Sequence, residues 1–174
     1  MLTKERRKEI IKILNKNEEP LKGTELANKF CVSRQVIVQD IAVIRAQGHN
    51  IIATSTGYIM PKLNTKNKNI KTIVCRHEGY ENMEEELKIM VDMGAKVIDV
   101  IIEHSVYGEI RCPLMISSRM DLEDFMEKIR NNKGEPLSSL TGGAHIHTLE
   151  VPNNRAYNKI IELLTEKGYL IKGE

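Results

Sequence analysis

At 174 residues the chain holds one large domain or two small ones, and its 26 Lys and Arg against 24 Asp and Glu leave a formal net charge of +2. No apolar run approaches membrane-spanning length, and the N-terminus reads as a charged amphipathic helix instead of a signal peptide. Three cysteines without a C-x-x-C pair fit reduced thiols, so the expected compartment is cytoplasmic.

The charge is unevenly spread. Residues 1–70 carry 13 basic against 6 acidic side chains, and residues 71–174 carry 13 against 18. A basic first half suits a polyanion, and an acidic second half adds nothing to non-specific DNA affinity. The seam is the polar run Pro61 to Asn69, which has little to bury. The expected division is residues 1–62, a linker at 63–70, and residues 71–174.

Arg6 to Asn15 places Ile10, Ile13 and Leu14 on one helical face. Leu26 to Ile41 then reads as two short helices joined by a tight turn, the second opened by Ser33 as an N-cap. Ile37, Ile41 and Ile44 recur at steps of four and three, so they share a face that packs on the preceding helices. Arg34, Gln35, Val38 and Gln39 fall opposite, near the N-terminal end that a recognition helix pushes into a major groove. This is a helix-turn-helix. Gly48 ends the second helix, and Ile51 to Ile59 reads as two short strands turning near Ser55 to Gly57. Three helices and a β-hairpin make a winged helix. Arg34, Gln35 and Gln39 are expected at base edges, and Ser33 and Arg45 nearer phosphates.

From residue 71 the pattern alternates. Ile73 to His77 reads as a strand, Asn82 to Met93 as a helix, Lys96 to His104 as an apolar strand, and Glu109 to Ile116 as its antiparallel return. Asp121 to Asn131 is helical, His145 to Val151 a strand, Asn154 to Lys167 the last helix and Gly168 to Ile171 a closing strand. This order predicts an α+β fold, a two-layer sandwich with helices on one face of a sheet.

The chemistry sits in the histidines. His145 and His147 lie two apart in the expected strand, so both rings point to one face while Ile146 points away. His77 ends the first strand, and Glu84-Glu85-Glu86 follows within ten residues. Two or three imidazoles plus a carboxylate suit Zn, Ni, Co or Fe(II). His104 joins that site or lies beside it. Cys75 shares the face of His77, either as a thiol ligand or as a structural core cysteine.

Several motifs resemble known families. Residues 1–62 resemble the winged helix at the head of the biotin repressor. Residues 71–171 resemble the 3H domain, through His77 with the acidic helix after it, Asp99 to Glu109 (DVIIEHSVYGE), and Gly142-Gly143-Ala144-His145-Ile146-His147-Thr148. The combination resembles the niacin-responsive transcription repressors over essentially the whole chain. The resemblance implies a repressor of NAD-biosynthesis or niacin-uptake genes, binding operator DNA as a homodimer with nicotinic acid as corepressor. It implies a divalent metal, nickel or zinc, held by His77, His145, His147 and a glutamate. That glutamate aligns at Glu86, or at Glu85 if this chain is one residue longer before the helix. For nicotinic acid itself, His104, Tyr107 and Arg111 beside the expected turn are the anticipated contacts.

Enzymatic readings fare worse. A bifunctional enzyme of the biotin-repressor kind needs a Gly/Arg-rich adenylate loop, which the second half lacks. A histidine nucleophile extending the H-x-H run would stand at position 149, which is Leu. A regulator that senses the metal alone is the remaining rival.

Overall fold

The computed structural model describes residues 2–61 and 69–171. The chain forms two compact units, Met1–Thr65 and Lys66–Glu174. Most of the expected linker lies outside the described residues, and Ile70 already belongs to a strand.

The first unit holds α1 (Thr3–Lys16), α2 (Gly23–Phe30), α3 (Arg34–Ala46) and a hairpin of β1 (Ile52–Ala53) and β2 (Tyr58–Ile59). Ser33 caps α3, its hydroxyl accepting from Val36 N at 3.3 Å, as the sequence predicts. Ile10 and Leu14 of α1, Leu26 and Ala27 of α2, and Ile37, Ile41 and Ile44 of α3 form one buried cluster with Ile51. Apolar side chains at helical spacing on three short helices thus meet in a single small core.

The wing is bound back to this core. Leu21 exchanges backbone hydrogen bonds with Tyr58 at 2.9 and 2.8 Å, which adds a third extended segment to the hairpin. That approach requires Gly57, where a Cβ would overlap the Leu21 carbonyl.

The second unit runs β3 (Ile70–Arg76), α4 (Tyr80–Asp92), β4 (Lys96–His104), β5 (Gly108–Ile116), α5 (Arg119–Asn131), a 3-10 helix (Leu137–Thr141), β6 (Ala144–Glu150) and α6 (Asn154–Glu166). The sheet order is β3-β6-β4-β5, antiparallel throughout. Side chains that alternate along the strands (Ile73, Cys75, Val97, Leu114, Ile116, Leu149) pack against Leu87 and Met90 of α4, Leu122 and Met126 of α5, and Ile160 and Leu164 of α6. The unit is therefore the expected α+β sandwich.

Two details differ from the sequence reading. The closing strand is a single bridge between Cys75 and Leu170, with Arg76 N donating to Tyr169 O at 2.8 Å and Ile171 N to Val74 O at 2.9 Å. The 3-10 helix was not anticipated, because five residues carry no readable periodicity.

Candidate functional site

Topology assembles the histidine cluster. β6 inserts between β3 and β4, so the strand carrying His145 and His147 lies beside the end of β3, where His77 follows Arg76. The last pairing steps, Cys75 with His145 and Arg76 with Ala144, lead to His77 N donating to Gly143 O at 3.3 Å. Gly143 has φ +85°, and a Cβ there would overlap the His77 carbonyl. Only glycine lets the two strand ends come this close.

The carboxylate comes from α4. Glu86 is 1% exposed and presents Oε2 to His77 Nε2 at 2.6 Å, His145 Nε2 at 3.1 Å and His147 Nε2 at 3.5 Å. Glu85, one helical step round, instead meets Lys167 and accepts from Tyr169 Oη at 2.6 Å. Of the two glutamates the sequence left open, Glu86 is the one that faces the histidines. Nitrogen and oxygen atoms of His77, Glu86 and His145 all lie within 4.8 Å of one another. His147 reaches the same carboxylate oxygen.

The hydrogen bonds fix which ring nitrogens carry protons. His145 Nδ1 lies 2.8 Å from the Gly143 carbonyl, and His147 Nδ1 lies 2.8 Å from the Asp99 carbonyl. A carbonyl only accepts, so each Nδ1 is the donor and each neutral ring turns a bare Nε2 toward Glu86. Two lone pairs facing a carboxylate repel unless a proton or a metal ion lies between them. His77 Nδ1 is buried with no hydrogen-bond partner among the described residues. Carbonyl-oriented imidazoles beside a buried carboxylate are the arrangement of an N/O metal site with its supporting hydrogen bonds. The donor set fits a divalent transition metal.

Electrostatics within the cluster are strongly coupled. Burial pushes the Glu86 carboxyl up, but when the imidazoles are protonated the His147 charge and the hydrogen bonds from His145, His147 and His77 outweigh it and hold the group well below the usual carboxylate range. His147 is raised in turn: burial opposes its charge, and Glu86 beside it more than compensates. Burial and then the Glu86 charge push the Cys75 thiol upward, so it stays protonated as a core side chain. Tyr169, whose ring lies 5.0 Å from that of His77, is pushed up to about 12 by burial and its bond to Glu85.

A cavity of about 240 Å³ opens on this cluster. His77, Glu86, His145 and His147 line one part of it, apolar side chains including Leu87, Val100, Leu114 and Phe125 form its walls, and residues 135–138 complete it. No local pattern announces this chamber, because its lining comes from α4, α5, three strands and the 3-10 helix together.

The anticipated effector contacts lie elsewhere. None of His104, Tyr107 and Arg111 lines the cavity. His104 Nδ1 accepts from Val106 N and Tyr107 N, both at 3.2 Å, and so caps its own turn. Tyr107 is 78% exposed. Val100 pairs with both His147 and Cys112, which puts those three on the cavity side, so Arg111 points to the opposite face of the sheet. There its Nη1 donates to Asp99 Oδ2 at 2.8 Å. Strand register, and not proximity to the turn in sequence, decides which side chains face the cavity.

In the first unit Ser33, Arg34, Gln35, Gln39 and Arg45 are all exposed along α3. Arg45 is partly committed, its Nε donating to Ile51 O at 2.7 Å, which braces the end of α3 against the wing. Sequence reasoning missed Asp40. It is buried, with Oδ2 accepting from Arg6 Nε at 2.6 Å and Oδ1 from Arg7 Nε at 2.8 Å, and so ties α3 to α1.

A winged helix joined to a histidine-bearing α+β sandwich defines the class, and comparison with known proteins agrees. Residues 6–59 match an HTH domain and residues 70–173 match the 3H domain. The chain belongs to the 3H-domain family that includes the probable transcription repressor NiaR of Thermotoga maritima and the transcription repressor NadR of Bacillus subtilis. It is 41% identical to the former over 168 residues, covering 97% of this chain and 94% of that protein. It is 40% identical to the latter over 168 residues, covering 96% and 93%. No helix among the described residues is long and apolar enough to cross a membrane.

Proposed function

We propose that this chain represses NAD-biosynthesis or niacin-uptake genes, binding a palindromic operator as a homodimer with nicotinic acid as corepressor. A divalent transition metal, nickel or zinc, is held by His77, Glu86, His145 and His147. Relatives named as transcription repressors support the repressor role. The observation that carries the effector reading is the cavity of about 240 Å³ beside the histidine cluster. That volume is below the roughly 300–1,000 Å³ of sites for drug-sized ligands and suits a single-ring molecule.

No lysine or arginine lines the cavity among the described residues. A bound ion would supply the positive charge that a ligand carboxylate needs. The walls supply apolar contact for a ring. Nicotinamide, lacking the carboxylate charge, binds much more weakly on this account. A single winged helix covers little DNA, so two copies on paired half-sites, joined chiefly through the second unit, give the required contact.

The same cluster also supports a regulator for which the ion itself is the signal. Operator affinity measured in metal-loaded protein with and without nicotinate, then after chelation, separates the two. Tightening by nicotinate that chelation abolishes supports corepression. Equal affinity with saturating nicotinate and with none, combined with a response to metal alone, favours the metal sensor.

A further inference from the structure

A pyridine carboxylate has two polar ends, the carboxylate and a ring nitrogen that accepts a hydrogen bond. Resting on the corepressor reading above, the first end is met at the histidine cluster. The second needs a donor elsewhere in the cavity. Outside the cluster the lining offers three polar side chains: Glu135, Cys112 and Ser138. An ionised glutamate has no proton to give, and a thiol is a weak donor. Ser138 carries the one strong O–H donor among these side chains.

We propose that Ser138 reads the ring nitrogen of the ligand and so distinguishes a pyridine carboxylate from a benzene carboxylate. Ser138 is 93% buried (7% exposed) and lines the cavity. Its carbonyl is committed, accepting from Gly143 N at 2.9 Å and Thr141 Oγ1 at 3.1 Å. Its hydroxyl makes no hydrogen bond to the described residues. The hydroxyl is open to the chamber, so an acceptor that arrives with the ligand can take its hydrogen bond in place of water. The backbone places it firmly. Gly143, which bonds to Ser138 through N, also accepts from His145 Nδ1 through O, so the hydroxyl is fixed two hydrogen bonds from a metal-site imidazole.

The test is calorimetric titration of full-length, metal-loaded protein with nicotinate and with benzoate, which replaces the ring nitrogen by C–H. Wild-type protein is expected to prefer nicotinate by roughly tenfold, the effect of one well-made hydrogen bond. Ser138→Ala should lower nicotinate affinity to the benzoate level, with benzoate affinity and metal content unchanged. Ser138→Thr, which keeps the hydroxyl, should restore the preference. Full preference retained in Ser138→Ala overturns the assignment, as does loss of metal in that variant, which marks a structural role. Equal wild-type affinity for the two acids also overturns it while leaving corepression intact. Wild-type protein that binds neither acid refutes the corepressor reading itself.

Discussion

Replacing Asp40 by Asn keeps the shape of the side chain and removes its charge from beneath α3. Asp40 is 1% exposed and pairs with both Arg6 and Arg7, whose side chains are 11% and 26% exposed. Removing one partner of a fully buried ion pair costs about 3–5 kcal/mol, because a charge is left uncompensated. Water reaches both arginines at their edges, which places this substitution near the lower end, about 3 kcal/mol. Hydrogen–deuterium exchange of the intact protein reads the two units separately. At about 1.4 kcal/mol per decade, peptides from α1 and α3 should exchange more than a hundredfold faster in Asp40→Asn. Peptides from α4 and α6 should not change. Less than a threefold change in α1 and α3 would refute the view that this cluster holds the recognition helix in place.

The same pair sets a pH dependence. Burial pushes the Asp40 carboxyl up, but hydrogen bonds from Arg6 and Arg7 prevail and hold it below its ordinary value. A depressed folded-state pKa contributes stability that is complete above the unfolded value of about 3.9 and is lost as pH falls through the folded value. Exchange protection of α1 and α3 should therefore be flat in this respect between pH 7 and 5, with the loss confined below about pH 4. Metal retention should behave differently: imidazole ligands bind ions only when neutral, so metal content after dialysis should fall as pH drops from 7 toward 5. His145→Ala and His147→Ala should each lose stoichiometric metal while their circular dichroism melting transition persists, since Leu87, Met90, Leu149 and Ile160 form a core without the ion. Arg34→Ala should cost about 1–3 kcal/mol in operator binding and relax specificity at one base pair, read by competition with single-base operator variants.

Local signals in the sequence were enough to place most elements. Lys96–His104 is a strand from end to end because a run of β-branched residues is bounded by Gly94 and a turn at Tyr107-Gly108. Ser33 and the isoleucine spacing of α3 likewise specify both the start and the buried face of that helix. His77, Glu86, His145 and His147 came into view through residue type and period, and through resemblance. Asp40 stayed hidden because an acid in a helix reads as solvated until α1 brings two arginines onto it. Arg111 faces away from the cavity because Val100 pairs with both His147 and Cys112, a register between strands that no local pattern announces. Ser138 lay in a segment too short for its structure to be read, and its importance depends on a cavity built from elements distant in sequence.

On the proposed function, nicotinic acid, a metal ion and operator DNA are thermodynamically coupled through the second unit. Linkage requires that operator DNA tighten nicotinate binding by the same factor as nicotinate tightens operator binding. Titrating nicotinate into metal-loaded protein, free and saturated with operator, measures this directly. Nicotinate should bind operator-saturated protein more tightly by a factor of roughly 5–150, corresponding to about 1–3 kcal/mol of coupling. The heat of binding should also disappear after chelation. Identical nicotinate affinities for free and operator-bound protein would contradict the account.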